Sequence, residues 1–342
     1  MRQRPGTQGL TVAPGARGRP NHLTKINAPP KTPRSMSPSR AEDARHGLQS
    51  ILVNLDVDSG SSNLLRVAID LAAGAVNRLM SNQSGAALSI GRTGMAGQFD
   101  GKVAIVTGGA SGIGAAVARQ LAREGCRVVI ADRDSAGLEI MAAEIGRNAV
   151  PYEINVADAL EVEAMIGFAE RECGGLNLAV NNAGISGPAA PTADYPLDGW
   201  QQVMDVNLNS VFYCMKYEIP AMLRAGGGAI VNMASILGSV GFANSPAYVA
   251  AKHALVGLTQ NAAIEYARHG IRVNAVGPGF IDTPLLSKNL DQSTLSIIAG
   301  LHPIGRLGRA EEVAALTCFL LSEPASFITG SYHLVDGGYV AQ

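Results

Sequence analysis

From residue 102 onward, short β-branched runs alternate with helical patterns along almost the whole chain, and that alternation leaves few folds open. Residues 102–107, 127–132, 150–154, 176–180, 229–233, 272–276 and 332–335 read as strands. They are apolar nearly throughout, as expected of a parallel sheet covered on both faces. Helical patterns fall between them at 113–125, 134–146, 158–173, 198–224, 248–269 and 310–322. Strand–helix–strand succession of this length predicts a doubly wound α/β parallel sheet, a Rossmann fold, as a single domain over residues 99–342.

The chain upstream is of another kind. Residues 1–46 carry nine basic residues against two acidic ones, with Pro and Gly throughout and no periodic apolar face. Ordering such a stretch costs more entropy than its burial returns, so a disordered basic tail is expected. A transit peptide is the second reading, opposed by the prolines, and no apolar run follows that would make a secretory signal. In residues 47–98 an amphipathic helix is expected. Leu64, Leu65, Ala68, Leu71, Ala72, Ala75 and Leu79 recur at helical spacing, and a linker follows over 85–97. Met95 offers an alternative start, in which case the upstream residues are not part of the protein.

Composition narrows the partners. The 342 residues are 47% hydrophobic and 16% charged, with a formal net charge of -1, so nothing drives the whole surface onto nucleic acid or an anionic membrane. The four cysteines, Cys126, Cys173, Cys214 and Cys318, lie far apart without a C-x-x-C spacing, which fits a reducing cytoplasm better than a disulfide scaffold or a zinc knuckle. The six histidines show no i, i+4 pairing, so no metal site is expected. Residues 225–251 lack charge but are broken by Gly226-Gly227-Gly228 and Pro246, so they do not span a membrane. A soluble protein is expected.

The first chemical signal is Thr107-Gly108-Gly109-Ala110-Ser111-Gly112-Ile113-Gly114, placed between the first strand and the first helix. In a pyrophosphate-binding turn Gly108 allows the tight bend, Gly112 the close approach of backbone to phosphate, and Gly114 the packing of helix on strand. The helix N-terminus then faces the negative charge. Asp132 ends the second strand, where a carboxylate bonds both ribose hydroxyls of NAD and repels the 2′-phosphate of NADP. Arg133 softens that preference. As an ordinary surface residue, Asp132 would instead cap the helix that follows.

The second signal is Ser235 with Tyr248 and Lys252. Tyr248-Val249-Ala250-Ala251-Lys252 puts a phenol and an ammonium on one helix face. A neighbouring cation favours phenolate, so the Tyr248 pKa is expected to be lowered and the residue to serve as acid and base. Ser235 follows the fifth strand at the end where such sheets bind ligands.

These residues, with Asn181-Asn182-Ala183-Gly184, Asn207 and Pro278-Gly279 followed by Thr283, resemble the short-chain dehydrogenase/reductase family over essentially all of 99–342. The resemblance implies catalytic Asn207, Ser235, Tyr248 and Lys252, with Asn207 holding a water in a proton relay. It implies a cofactor site of Gly108, Ser111, Gly112, Ile113, Gly114, Asp132, Arg133, Asn155, Val156, Asn182, Ala183, Gly184, Tyr248, Lys252, Pro278, Gly279, Ile281 and Thr283. Asn181 would steady the central sheet. Asn207 also has a structural reading, bonding backbone and kinking a long helix. Asn155 and Asn177 stand where the family commonly has Asp, from which altered cofactor affinity is expected.

The implied activity is hydride transfer between NAD(H) and a secondary alcohol or ketone. The segments 186–200, 236–244 and 282–307 carry Phe242, Leu285, Leu286, Leu290, Ile297, Ile298 and Leu301, so the substrate is expected to be hydrophobic or cyclic. The alternative is a 3-oxoacyl-[acyl-carrier-protein] reductase using NADPH, which Asp132 opposes. A dinucleotide sensor without turnover would be marked by loss of Ser235, Tyr248 or Lys252, and all three are present. Residues 1–46 leave room for tethering to nucleic acid or an acidic partner, though none is expected for the main domain. Apolar stripes on the two long helices (Val203, Val206, Val211, Phe212, Met215; Leu255, Leu258, Ala262) are expected at subunit contacts, since family members pair equivalent helices in dimers or tetramers.

Overall fold

The computed structural model describes residues 97–287 and 291–342, apart from the Ser287 side chain. The expectations placed on residues 1–96 lie outside the described residues. In chain order the elements are β1 (Val103–Thr107), α1 (Gly112–Arg123), β2 (Arg127–Asp132), α2 (Ser135–Ile145), β3 (Ala149–Glu153), α3 (Ala159–Cys173) and β4 (Leu178–Asn181). There follow α4 (Leu197–Met204), α5 (Ser210–Arg224), β5 (Gly228–Met233), α6 (Pro246–Tyr266), β6 (Ile271–Pro278) and β7 (Ile281–Asp282). The chain ends with α7 (Pro284–Ser287), α8 (Gln292–Gly300), β8 (Gly308–Arg309), α9 (Ala310–Leu321) and β9 (Tyr332–Val335).

Seven strands form one parallel sheet in the order β3-β2-β1-β4-β5-β6-β9. The apolar runs are continuous because helices cover both faces. In β1, Ala104 and Val106 enter the core shared with α1, α2 and α9, while Ile105 enters the one shared with α3, α5 and α6. Local chemistry sets several helix starts. Asp134 caps α2 by accepting the Gly137 N–H at 3.1 Å, and Asp158 caps α3 by accepting the Leu160 N–H at 2.8 Å. The order reverses between β1 and β4, so a crevice opens there at the carboxyl ends of the strands.

Two differences from the expected elements matter. The helix expected over 198–224 is divided by a π-helical segment, Asp205–Asn209, which carries Asn207. The small parallel pair β7–β8 and helix α8 were not anticipated, because their runs are short and owe their shape to packing. The expected subunit stripes are also revised. Val203, Val211, Met215, Leu255 and Ala262 are buried in the chain's own core, and of those eight residues only Phe212 is exposed.

Candidate active site

The turn after β1 is glycine-dependent for reasons of shape. Gly108 has φ +63°, and a Cβ there would sit 2.9 Å from the Ala183 Cα. Gly112 has φ +54° and faces Thr283, whose methyl group would be 3.3 Å from an added Cβ. Gly114 does not border the crevice. It is buried behind the turn, where any side chain would strike the Gly108 carbonyl, so it serves close packing of the turn itself. Asn182 stitches β4 to this turn, its Nδ2 donating to the Thr107 and Gly108 carbonyls at 3.0 and 3.1 Å.

Gly108, Ser111, Gly112, Ile113, Asp132, Arg133, Asn155, Val156, Asn182, Ala183, Gly184 and Thr283 line one cavity of about 420 Å³ over the carboxyl ends of β1, β2 and β4. The donor set fits a dinucleotide. α1 opens there without an acidic side chain in its first turn and without a side-chain cap from Ser111, which leaves its N-terminal N–H groups for an anion. Asp132 does not cap α2, since Asp134 does that. Its two carboxylate oxygens accept the Ala110 and Asp134 N–H groups at 3.0 and 3.1 Å, which locks the end of β2 to the glycine turn. Asn177 lies elsewhere. Its Oδ1 accepts the Val103 N–H at 2.9 Å at the amino ends of the strands, so the expected effect on cofactor affinity has no basis at that position.

A second cavity, of about 300 Å³, shares Ile113, Asn182, Gly184, Thr283 and Leu285 with the first and holds Ser235, Tyr248, Lys252, Pro278, Gly279 and Ile281. Phe242, Leu285 and Leu286 add apolar wall, whereas Ile297, Ile298 and Leu301 do not border it. Leu290 lies outside the described residues. Ser235 follows β5 in extended conformation, and its Oγ accepts the Leu237 N–H at 3.2 Å. Lys252 is 3% exposed, and its ammonium donates to the Met233 carbonyl at 2.7 Å and sits 5.5 Å from the Tyr248 ring centroid. Asn244, on the loop between them, adopts φ +63°, and its carbonyl accepts the Ala190 N–H at 3.1 Å, tying two cavity loops together.

The charges differ from the expectation. Burial pushes the Tyr248 phenol above its ordinary value, and its hydrogen bond with Ser235 pulls only partly the other way. Burial also lowers Lys252 to about 8. The ammonium lies over the ring and is spent on Met233, so the expected depression of the phenol by its cation is not found. Asn207 borders neither cavity. Fully buried, it exchanges two hydrogen bonds of 2.8 Å with the N–H and carbonyl of Ile185, pinning the segment after Gly184 to the π-helical segment rather than bonding its own helix.

Three nearby groups escaped sequence reasoning. Tyr332 donates its hydroxyl to the Ser235 carbonyl, and its ring fills space that a Cβ on Gly277 would enter at 2.5 Å. Glu218 is buried and held by the Asn181 amide at 3.1 Å, with Asn181 also donating to Asn232 at 3.0 Å. The readable signal was an acid within the apolar stripe Val211, Met215, Met222. His302, 3% exposed, bonds the backbone of the cavity wall. Its sequence surroundings carry no such signal.

Residues 108–340 match the family model described as Enoyl-(Acyl carrier protein) reductase. A cyclohexanol dehydrogenase from Acinetobacter sp. (strain SE19) is 48% identical over 251 residues, covering 72% of this chain and 98% of the relative. The chain belongs to the short-chain dehydrogenase/reductase family. A cis-4-hydroxycyclohexanecarboxylate dehydrogenase from Sinomonas cyclohexanicum is 46% identical over 245 residues, covering 71% of this chain and 98% of the relative. The crystal structure of a levodione reductase superposes with a TM-score of 0.69 at 36% identity, covering 71% of this chain and 99% of that one. As a family member the protein is an oxidoreductase acting on CH–OH groups, built on the Rossmann sheet that its strand succession predicts.

Proposed function

We propose that the protein is an NAD-dependent dehydrogenase of a cyclic secondary alcohol, reversible towards the ketone. The observation that carries this reading is the convergence of Ser235, Tyr248 and Lys252 on an apolar cavity sharing its wall with the dinucleotide crevice. Relatives named for cyclohexanol and hydroxycyclohexanecarboxylate support the substrate class.

Gly108, Ser111, Gly112 and Ile113 hold the pyrophosphate, and Asp132 takes the ribose hydroxyls, with Arg133 beside it. Asn155 and Val156 flank the adenine. Asn182, Ala183 and Gly184 shape the floor of the groove, and Pro278, Gly279, Ile281 and Thr283 border the nicotinamide. Bound there, the dinucleotide supplies a hydride acceptor for oxidation and a hydride donor for reduction. Ser235 Oγ holds the substrate oxygen. Tyr248 Oη donates its proton to the ketone oxygen in reduction; in oxidation it first releases that proton to solvent and, as phenolate, takes the hydroxyl proton. Burial keeps that phenol protonated at neutral pH, the form that donates to a ketone. Lys252 holds the nicotinamide ribose and stabilises the phenolate as it forms. Asn207, with both amide groups engaged by Ile185, keeps the segment after Gly184 in register rather than joining the proton path.

A second reading, a 3-oxoacyl-[acyl-carrier-protein] reductase using NADPH, is favoured by the acyl-carrier wording of the family model and opposed by the Asp132 carboxylate. A panel of secondary alcohols and an acyl thioester, followed by dinucleotide absorbance with NAD⁺, NADH, NADP⁺ and NADPH, decides between them. Cyclohexanol oxidised preferentially with NAD⁺ is the expected result. Thioester reduction with NADPH and no alcohol oxidation would overturn it.

The surroundings belong to the same proposal. A cytoplasmic location is supported by four cysteines that are all unpaired. Among the described residues no helix is long and apolar enough to cross a membrane. Homo-oligomerisation, as dimer or tetramer, is supported by Leu160, Phe212 and Ile264, exposed on α3, α5 and α6.

A further inference from the structure

Between the second cavity and the C-terminus runs a row of four rings. Phe242 meets Phe280 edge-on with centroids 5.8 Å apart, Phe280 meets His302 at 5.8 Å and 90°, and His302 meets Tyr339 at 5.5 Å. Tyr339 also touches Phe280 directly at 5.9 Å. Phe242 and Phe280 border the cavity that holds Ser235 and Tyr248, while His302 stands behind them and is almost wholly buried.

Within this row, directed polar bonds come from His302. Its Nε2 accepts the Phe280 N–H at 3.2 Å, and its Nδ1 lies 3.1 Å from the Ile298 carbonyl. An amide N–H can only donate and a carbonyl can only accept, so the tautomer that satisfies both bonds carries its hydrogen on Nδ1. The ring therefore ties α8 to the segment between β6 and β7. Neighbouring backbone bonds complete the anchor, the Gly279 N–H going to Val335 at 3.0 Å and the Phe280 carbonyl accepting from Gly308 at 3.0 Å. The approach is close enough that a Cβ on Gly279 would lie 2.8 Å from Nε2. Phenylalanine rings have no polar handle of their own. The orientation of the Phe280 wall depends on its backbone, and His302 is the acceptor of that backbone's N–H.

We infer that His302 is a positioning residue for substrate selection: by fixing Phe280, and through it Phe242, it keeps a stiff apolar wall that favours ring-shaped alcohols over open-chain ones. This rests on the dehydrogenase reading above and names how that site chooses its substrate. A carbocycle presents a rigid apolar body to a fixed aromatic edge, and an open chain loses rotamer freedom to do the same.

The test uses the full chain with NAD⁺ and compares cyclohexanol with 2-butanol in wild type, His302→Asn, His302→Gln and Phe280→Ala. Asparagine keeps a donor near the Nδ1 position but has no acceptor at the reach of Nε2, whereas the glutamine amide oxygen extends to it. Leaving a buried N–H without an acceptor is expected to raise the cyclohexanol KM about tenfold in His302→Asn. The change in kcat and in the NAD⁺ KM should be small, and the cyclohexanol preference should narrow. His302→Gln restores most of that preference, and Phe280→Ala narrows it again even if His302→Asn does not fold. An unchanged preference in both His302→Asn and Phe280→Ala, or a glutamine variant no better than asparagine, overturns this inference alone. Wild-type enzyme that oxidises neither alcohol with NAD⁺ overturns the proposed function, and this inference with it.

Discussion

The two halves of the groove are built by opposite means. The half proposed for the dinucleotide is mostly backbone: a glycine turn, an open helix N-terminus and one carboxylate, bound together within β1, β2 and β4. The alcohol half is mostly side chains, drawn from segments separated by many residues, such as Phe242, Phe280, His302 and Tyr332. Backbone geometry constrains residue type at fixed spacing and so leaves a pattern in the chain. Side-chain walls constrain shape alone, and many sequences satisfy a shape.

The strongest way to break that contrast lies where the halves meet. Tyr248→Phe should lower turnover about 10²–10⁴-fold, the usual contribution of a positioned proton donor, while NAD⁺ binding measured by calorimetry stays intact. Dinucleotide affinity falling in parallel would mean that the two halves are not separable. Asp132→Ser addresses the dinucleotide half alone. A charge-assisted hydrogen bond is worth about 1.5–3 kcal/mol, so the NAD⁺ over NADP⁺ preference should fall roughly 10–100-fold, with the order of preference among alcohols unchanged. Ratios of kcat/KM for both dinucleotides read this directly.

Glu218 is buried against Asn181 at the end of β4, and its effect falls on stability. Burial raises its carboxyl from 4.5 to about 8. The unfolded chain loses that proton at lower pH than the folded one. Stability from this group is therefore full below about 4.5 and lost as pH rises towards about 8. Glu218→Gln cannot titrate and should flatten the decline, with a gain of a few kcal/mol at pH 8 over pH 5 relative to wild type in urea melts. Equal slopes in the two proteins would show that the carboxyl is ionised when folded. The smallest effect is expected for Tyr332→Phe, which removes one hydroxyl bond to the Ser235 carbonyl, worth about 1 kcal/mol. The kcat should drop several-fold while the dinucleotide KM holds, and a purely thermal effect without a kcat change would limit Tyr332 to packing.

Much of the molecule was readable beforehand, and the reason differs from place to place. Strand β2 falls where its β-branched run predicts, because a strand buried on both faces must be apolar throughout. Gly108 and Gly112 were readable because positive φ excludes most other residues. The pairing of Tyr248 with Lys252 was visible in helical spacing, but its electrostatics were not. The ammonium turns to the Met233 carbonyl, a partner that only the packed strand supplies. Asn207 was singled out by pattern, yet its commitment to Ile185 depends on a π-helical turn that no local propensity announces. The subunit stripes were misplaced for a related reason, since an apolar face looks the same whether it meets its own sheet or a neighbour.

The chain by itself determined the sheet, the glycine turn after β1 and the candidacy of Ser235, Tyr248 and Lys252, because each depends on conformations or periods that few residue types satisfy. The packed structure alone decided the burial that shifts Tyr248 and Lys252, the burial of Glu218 and the ring-lined wall of the second cavity. Those properties arise from desolvation and from contacts between residues far apart in sequence, and neither exists until the layers close.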